Sequence, residues 1–309
     1  MLAEAPDWPA LTARPSFFGN PLLFPFAYGI AGGTLRYGGA AYPLRATRWG
    51  RVAHGLVRDH AWKVERAWTD GAGDHLSAVI STDGDAGRLE EYPFPFRLAV
   101  TYSLSGTTLR LHAVATNPGP QPLPFGFGIH PYISTPLDPA GSMDDDVVVC
   151  DAPLASPAPA PRAAQPDGEL VPVADVAGGA FDLRQGKSVS ALLAAQRAQR
   201  PNGGLYVSYA RRPLAGEAKQ TAAESAGGLH WALHNRRLGL AVEIEASDDL
   251  RAMVLFAPVE PTKVISPVIC TCLPSFFELA EQGRPSGLLE LAPGQQWTAT
   301  VTLRVRPVL

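Results

Sequence analysis

Hydrophobic and polar residues alternate along this chain in short runs, and glycine and proline separate one run from the next. Residues 97–104 (Arg-Leu-Ala-Val-Thr-Tyr-Ser-Leu) and 108–115 (Thr-Leu-Arg-Leu-His-Ala-Val-Ala) flank a Ser-Gly turn. Leu109, Leu111 and Ala113 fall on one side of the second run, Arg110 and His112 on the other. That period of two belongs to a strand with one face in a core. Residues 33–37 and 40–44, separated by Gly38-Gly39, predict a second hairpin, because Gly-Gly accepts the positive φ angles of a tight turn. Residues 229–235 and 239–246 predict a third, and 253–257 and 297–305 further strands. Two stretches break the pattern. Residues 151–180 are rich in alanine and proline and predict a long connection; residues 186–200, with Leu192 and Leu193 among alanines, form the best helix candidate. No repeat of fixed period is present. The expectation is one all-β domain over 1–309, a large antiparallel β-sandwich.

Composition narrows the function. With 46% hydrophobic residues among 309, the chain can bury a sizeable core without staples. Only 18% of residues are charged and the net charge is −3, which offers no footprint for nucleic acid or an anionic membrane. The first twenty residues lack a basic region followed by an unbroken apolar one, and no run approaches 18 apolar residues. A cytoplasmic, soluble protein is expected. The cysteines are Cys150, Cys270 and Cys272. An odd number in a long chain suits a reducing compartment. Cys270 and Cys272 would share one face of a strand, but no second cluster accompanies them, so buried thiols are expected and a metal is not.

Seven histidines remain: 54, 60, 75, 112, 130, 230 and 234. His230 and His234 would form a metal pair on a helix, but their surroundings alternate like a strand. His130 sits in Pro124-Phe-Gly-Phe-Gly-Ile-His-Pro-Tyr132. Glycine inside a strand marks close approach by a ligand or another backbone. The proline after His130 favours extended geometry there, which would hold an imidazole suited to proton transfer in one direction. A purely structural histidine is the other reading. His54 precedes Gly55, the Arg58–Asp59 pair and Trp62. Arginine and tryptophan together suit a polyol, through hydrogen bonds and an apolar ring face; a surface ion pair is the alternative.

Taken together these pieces resemble the aldose 1-epimerase (galactose mutarotase-like) family. The matching features are GNPLLFPF (19–26), the hairpin GGTLRYGGAAYPL, HGLVRD (54–59), PFGFGIHPYI (124–133) and GLLELAPGQQW (287–297), in order from about residue 19 to 305. The zone 137–228 matches least. The resemblance implies a β-supersandwich and the interconversion of α and β anomers of a hexose, with no metal or organic cofactor. The partner it implies is a small-molecule sugar. In the family one histidine protonates the ring oxygen and a glutamate takes the proton of the anomeric hydroxyl. His130 matches that acid and His54 a second, sugar-orienting histidine; Arg58, Tyr132 and Ser266 are further candidates for binding the sugar. Arg58 also resembles an arginine that hexose-6-phosphate mutarotases use for phosphate.

The chain departs from the family pattern at three places. The family's base stands in a Glu-Pro pair of a late strand; at the matching distance, 28 residues before Gly294, this chain has Ser266-Pro267. A Glu-Pro does occur six residues earlier, Glu260-Pro261, so Glu260 is the candidate base. Where the family has Asn-Arg-Ile, this chain has Tyr28-Gly29-Ile30. The sugar-binding aspartate has only Asp175 and Asp182 as candidates. These departures leave a second reading, a catalytically reduced carbohydrate-binding protein on the same fold. A carboxylate facing His130 would favour the enzyme, and its absence the binder. A domain of a polysaccharide-processing enzyme ranks behind both.

Overall fold

The computed structural model describes residues 2–13, 18–45, 52–156, 174–201, 203–211, 227–259 and 263–308. Two large sheets make up most of it, and every strand pair in both is antiparallel. The first runs, in spatial order, Lys187–Ser188, Asp146–Cys150, His230–Asn235, Leu240–Ala246, Gln296–Pro307, Thr108–Thr116, Arg97–Ser105, Gly73–Ser81, Lys63–Asp70. The second runs Leu22–Leu23, Gly128–Ile129, Val264–Cys270, Ala252–Ala257, Leu205–Ala210, Leu154–Ser156, Ala174–Asp175, with Ile133–Ser134 also paired to Val264–Cys270. One apolar core takes side chains from both sheets, among them Leu111, Ile244 and Leu303 from the first and Val207, Leu255 and Ile269 from the second. This is the all-β, antiparallel sandwich expected from the alternation.

The hairpins follow their turn chemistry. Thr34–Tyr37 pairs with Ala40–Pro43 around Gly38 and Gly39, whose φ angles of 61° and 79° no branched residue would adopt cheaply. Leu111 and Ala113 point into the core while Arg110 and His112 face outward. His230 and His234 lie on the strand His230–Asn235, not on a helix.

Two expectations need correction at their edges. The helix is Val189–Gln199, started by the Ser188 hydroxyl accepting the Ala191 N–H; Lys187 and Ser188 belong to a strand. The connection over 151–180 carries paired strand at both ends, Leu154 opposite Asp175 and Ala155 opposite Ala174. Three short helices, Trp8–Ala13, Ala86–Glu91 and Phe276–Glu281, were not expected. Among the described residues no helix is long and apolar enough to cross a membrane.

Candidate active site

Segments far apart in the chain meet around residues 124–132. Leu22 and Leu23 stand opposite Ile129 and Gly128; Ile129 and Gly128 stand in turn opposite Ile269 and Cys270. Leu123–Phe125 pairs with Leu289–Leu291, and Phe24 forms a bridge with Gly55. The two glycines at 126 and 128 have a cause other than the ligand or backbone approach inferred from sequence. A Cβ on Gly126 would sit 2.7 Å from Cys272 Sγ, and one on Gly128 2.4 Å from Cys270 Sγ. The Gly-x-Gly of one segment thus makes room for the Cys-x-Cys of its neighbour. Both thiols are buried and unoxidised, and burial pushes that of Cys270 up to about 12 and that of Cys272 well above its usual value. They are packing groups.

His130 comes directly after the short strand Gly128–Ile129. Its backbone N–H donates to Pro21 O (3.0 Å) and to Asn20 Oδ1 (3.2 Å), while the Tyr132 N–H donates to Gly19 O. The His-Pro-Tyr segment is thereby laid along the GNPLLF segment. The imidazole is buried. Its Nδ1 lies 2.8 Å from Ser266 Oγ and its Nε2 3.4 Å from the Tyr132 hydroxyl. The Tyr132 ring stacks on it at 4.5 Å, and the Phe256 ring approaches edge-on at 6.1 Å. Phe256 was not singled out by sequence, although its cross-strand partner is Ser266.

His54 lies in a loop held to the opening segment, where Leu56 N–H donates to Phe24 O. His54 has φ 64° and is followed by Gly55 at φ 70°. A Cβ on Gly55 would fall 2.0 Å from Phe24 O, so the loop requires glycine there for both space and angle. His54 Nδ1 lies 2.5 Å from Ala27 O. Because a carbonyl only accepts, Nδ1 carries the hydrogen and Nε2 keeps its lone pair in the neutral ring. The rings of His54 and His130 are 5.6 Å apart, at 80° to one another. Arg58 pairs with Asp59 (Nε–Oδ2 3.2 Å), and the two side chains are only 9% and 12% exposed. The pair is therefore mostly sunk rather than a surface bridge. Trp62 closes the same loop, its indole N–H donating to Val57 O.

Burial lowers the proton affinity of both imidazoles. Desolvation, then the charge of Arg58, pulls His54 down to about 4, although part of the residue still reaches solvent and the Ala27 contact opposes the shift. Desolvation, then His54, then Arg58 pulls His130 well below its usual value. Among the described residues the ionisable side chains that shift His130 are His54 and Arg58, with no carboxylate.

An aldose 1-epimerase family model matches residues 3–304. The chain belongs to the aldose 1-epimerase family. Solved members of similar fold include a galactose mutarotase-like protein from Clostridium acetobutylicum (TM-score 0.78, 16% identity, 99% of this chain and 86% of that one). Galactose 1-epimerase from Lactobacillus acidophilus matches at a TM-score of 0.70 with 16% identity, covering 100% and 86%. A galactose mutarotase-like protein from Lactobacillus casei matches at 0.65 with 20% identity, covering 93% and 85%. Among curated proteins none matches by sequence.

Of the residues singled out by sequence, this aldose 1-epimerase family member brings His54, Arg58, Tyr132 and Ser266 together around His130. Glu260 lies outside the described residues. Asp175 and Asp182 are engaged elsewhere. Asp182 is held by Arg184 at 2.9 Å and by the Gly178 N–H, which keep its carboxyl well below the usual range; Asp175 is exposed and accepts from Ala177 N–H. Tyr28, where the family pattern has asparagine, is buried with its hydroxyl against the Cys270 thiol.

Proposed function

We propose that this protein interconverts the α and β anomers of a hexose by acid/base ring opening, with His130 as the acid at the ring oxygen. The observation that supports it is the convergence on His130 of His54, Arg58, Tyr132 and Ser266, from three separate segments, in a chain whose family match runs almost end to end. Ring opening needs one proton delivered and one removed at the anomeric centre. Buried imidazoles and a mostly buried arginine suit a neutral polyol, which meets polar groups already held in place. His54, Arg58 and Tyr132 would orient the sugar.

A second reading, a carbohydrate-binding protein with reduced catalysis, is favoured by one observation. By its spacing from Gly294, Ser266 takes the position that the resemblance gives to the family's base, and its hydroxyl is engaged by His130; serine lacks the basicity for that task without a partner of its own. The test is anomer exchange followed by polarimetry or NMR on freshly dissolved α-glucose and α-galactose, beside His130→Ala and Glu260→Gln. Acceleration lost in both variants would make Glu260 the base, and loss with His130 alone would move the base elsewhere. No acceleration over buffer leaves the binding reading for these sugars.

A further inference from the structure

We propose that His54 is the proton acceptor that works beside His130, in the role a carboxylate would otherwise fill. The proposal rests on the anomer-exchange reading above. The two oxygens that trade protons, the anomeric hydroxyl and the ring oxygen, are bonded to the same carbon. Acid and base must therefore stand side by side, and the two imidazoles do, at 5.6 Å and nearly perpendicular.

Their hydrogen bonds fit them for different parts. The Ala27 carbonyl commits His54 Nδ1 to carrying hydrogen, which leaves Nε2 as the one basic nitrogen of that ring. The Ser266 hydroxyl can accept from His130 Nδ1–H or donate to bare Nδ1. His130 thus keeps its partner both as imidazolium and as neutral imidazole, as a group that gives up and regains a proton must. The backbone at His54 supports the same conclusion. A non-glycine residue at φ 64° is held at a cost, and such positions collect at functional sites. Glycine would fill that place without strain, yet the position carries an imidazole, tied to the loop through Nδ1 and the Ala27 carbonyl and leaving Nε2 unused by that contact.

The step balances with one proton on the pair, taken from solvent onto His130. His130 Nε2–H passes its proton to the ring oxygen as the bond from that oxygen to the anomeric carbon breaks. His54 Nε2 takes the hydroxyl proton as the carbonyl forms. The pair still holds one proton, now on His54. After rotation of the aldehyde, closure runs the transfers backwards and returns the proton to His130.

The experiment is NMR anomer exchange with the full chain and α-galactose or α-glucose, comparing wild type with His54→Asn and His54→Gly. Asparagine and glycine both accept φ near 64°, so the loop is retained, and unchanged unfolding midpoints check this. The expected result is a loss in kcat of about 10²–10⁴-fold in both variants, with KM within about threefold. Added imidazole should restore part of the rate in His54→Gly, above what imidazole gives without protein. A kcat within about threefold of wild type with a raised KM would make His54 a sugar-binding residue and overturn the proposal. So would a lost kcat with no imidazole rescue, or turnover abolished by Glu260→Gln and kept in His54→Asn. A wild type no faster than buffer fails differently: it removes the anomer-exchange reading, and this proposal with it.

Discussion

Replacing Gly128 with alanine tests the fit between the Gly-x-Gly and Cys-x-Cys segments. The new Cβ would lie 2.4 Å from Cys270 Sγ and 3.1 Å from Ile269 O. Gly128 and Cys270 are paired in the sheet, so neither backbone can withdraw without breaking the ladder between them. The φ of Gly128 is not in the left-handed region, so space alone is at issue. Overpacking of this kind costs about 1–3 kcal/mol. Cys270→Ala removes the sulfur and leaves a small void, at about 1–2 kcal/mol. The two changes share one cause, so the double variant should be more stable than the sum of the singles by about 1–2 kcal/mol. Urea unfolding of all four proteins, followed by tryptophan fluorescence, measures that coupling. Additive losses, or a Gly128→Ala protein as stable as wild type, would refute the reasoning and return these glycines to the role of ligand approach.

Three further outcomes are expected. Gly55→Ala puts a methyl group 2.0 Å from Phe24 O at a left-handed φ; it should cost more than about 3 kcal/mol and open the His54 loop to limited proteolysis, which an intact digestion pattern would contradict. Asp146 is fully buried and accepts from Thr135 Oγ1, Leu137 N–H and Asn235 Nδ2; Asp146→Ala leaves three donors without a partner and should cost about 3–5 kcal/mol in a urea melt. Folded His54 binds its proton with a pKa of about 4, below the value near 6.5 of an unfolded chain. Its contribution to stability is therefore complete above pH 6.5 and falls as pH drops toward 4, by at most about 2–3 kcal/mol at pH 4.5, with His130 acting in the same direction. The urea midpoint should decline over that window, and His54→Asn should flatten the decline; an unchanged slope in the variant would count against the assignment.

Where side chains alternate strictly over a one-sided strand, the sequence was readable. Arg97–Ser105, Thr108–Thr116 and Gln296–Pro307 bury alternate residues over part of their length (Leu98 and Val100; Leu111, Ala113 and Ala115; Ala299, Val301 and Leu303), and the hairpin of the first two carries Gly106 at its turn. Val264–Cys270 was harder to read, since six of its seven residues are buried and Pro267 interrupts it. A strand covered on both faces loses its period of two, and proline argues against a ladder. Ile133–Ser134 and Gly128–Ile129 are too short to carry any period. His130 and His54 could be found because glycine and proline crowd them. Ser266 was located only by its distance from a turn. The bond between Ser266 and His130 spans 136 residues, and no local pattern reports such a pairing.

The place of Gln296–Pro307 in the first sheet has a bearing on how the protein is made. That strand lies in the middle, between Leu240–Ala246 and Thr108–Thr116; its residues 301–307 pair with the first and 296–304 with the second. During synthesis the two halves of the sheet emerge well before it, each with a bare edge where it will later insert. The hairpin partner Thr108–Thr116 waits through some 180 residues of translation for its second neighbour, roughly ten to forty seconds at bacterial or eukaryotic elongation rates. Over about the last fifty of those residues, once Leu240–Ala246 has emerged, the nascent chain carries two open ladders. It is then most exposed to pairing with another copy of itself, and the quick arrival of one strand closes both edges at once.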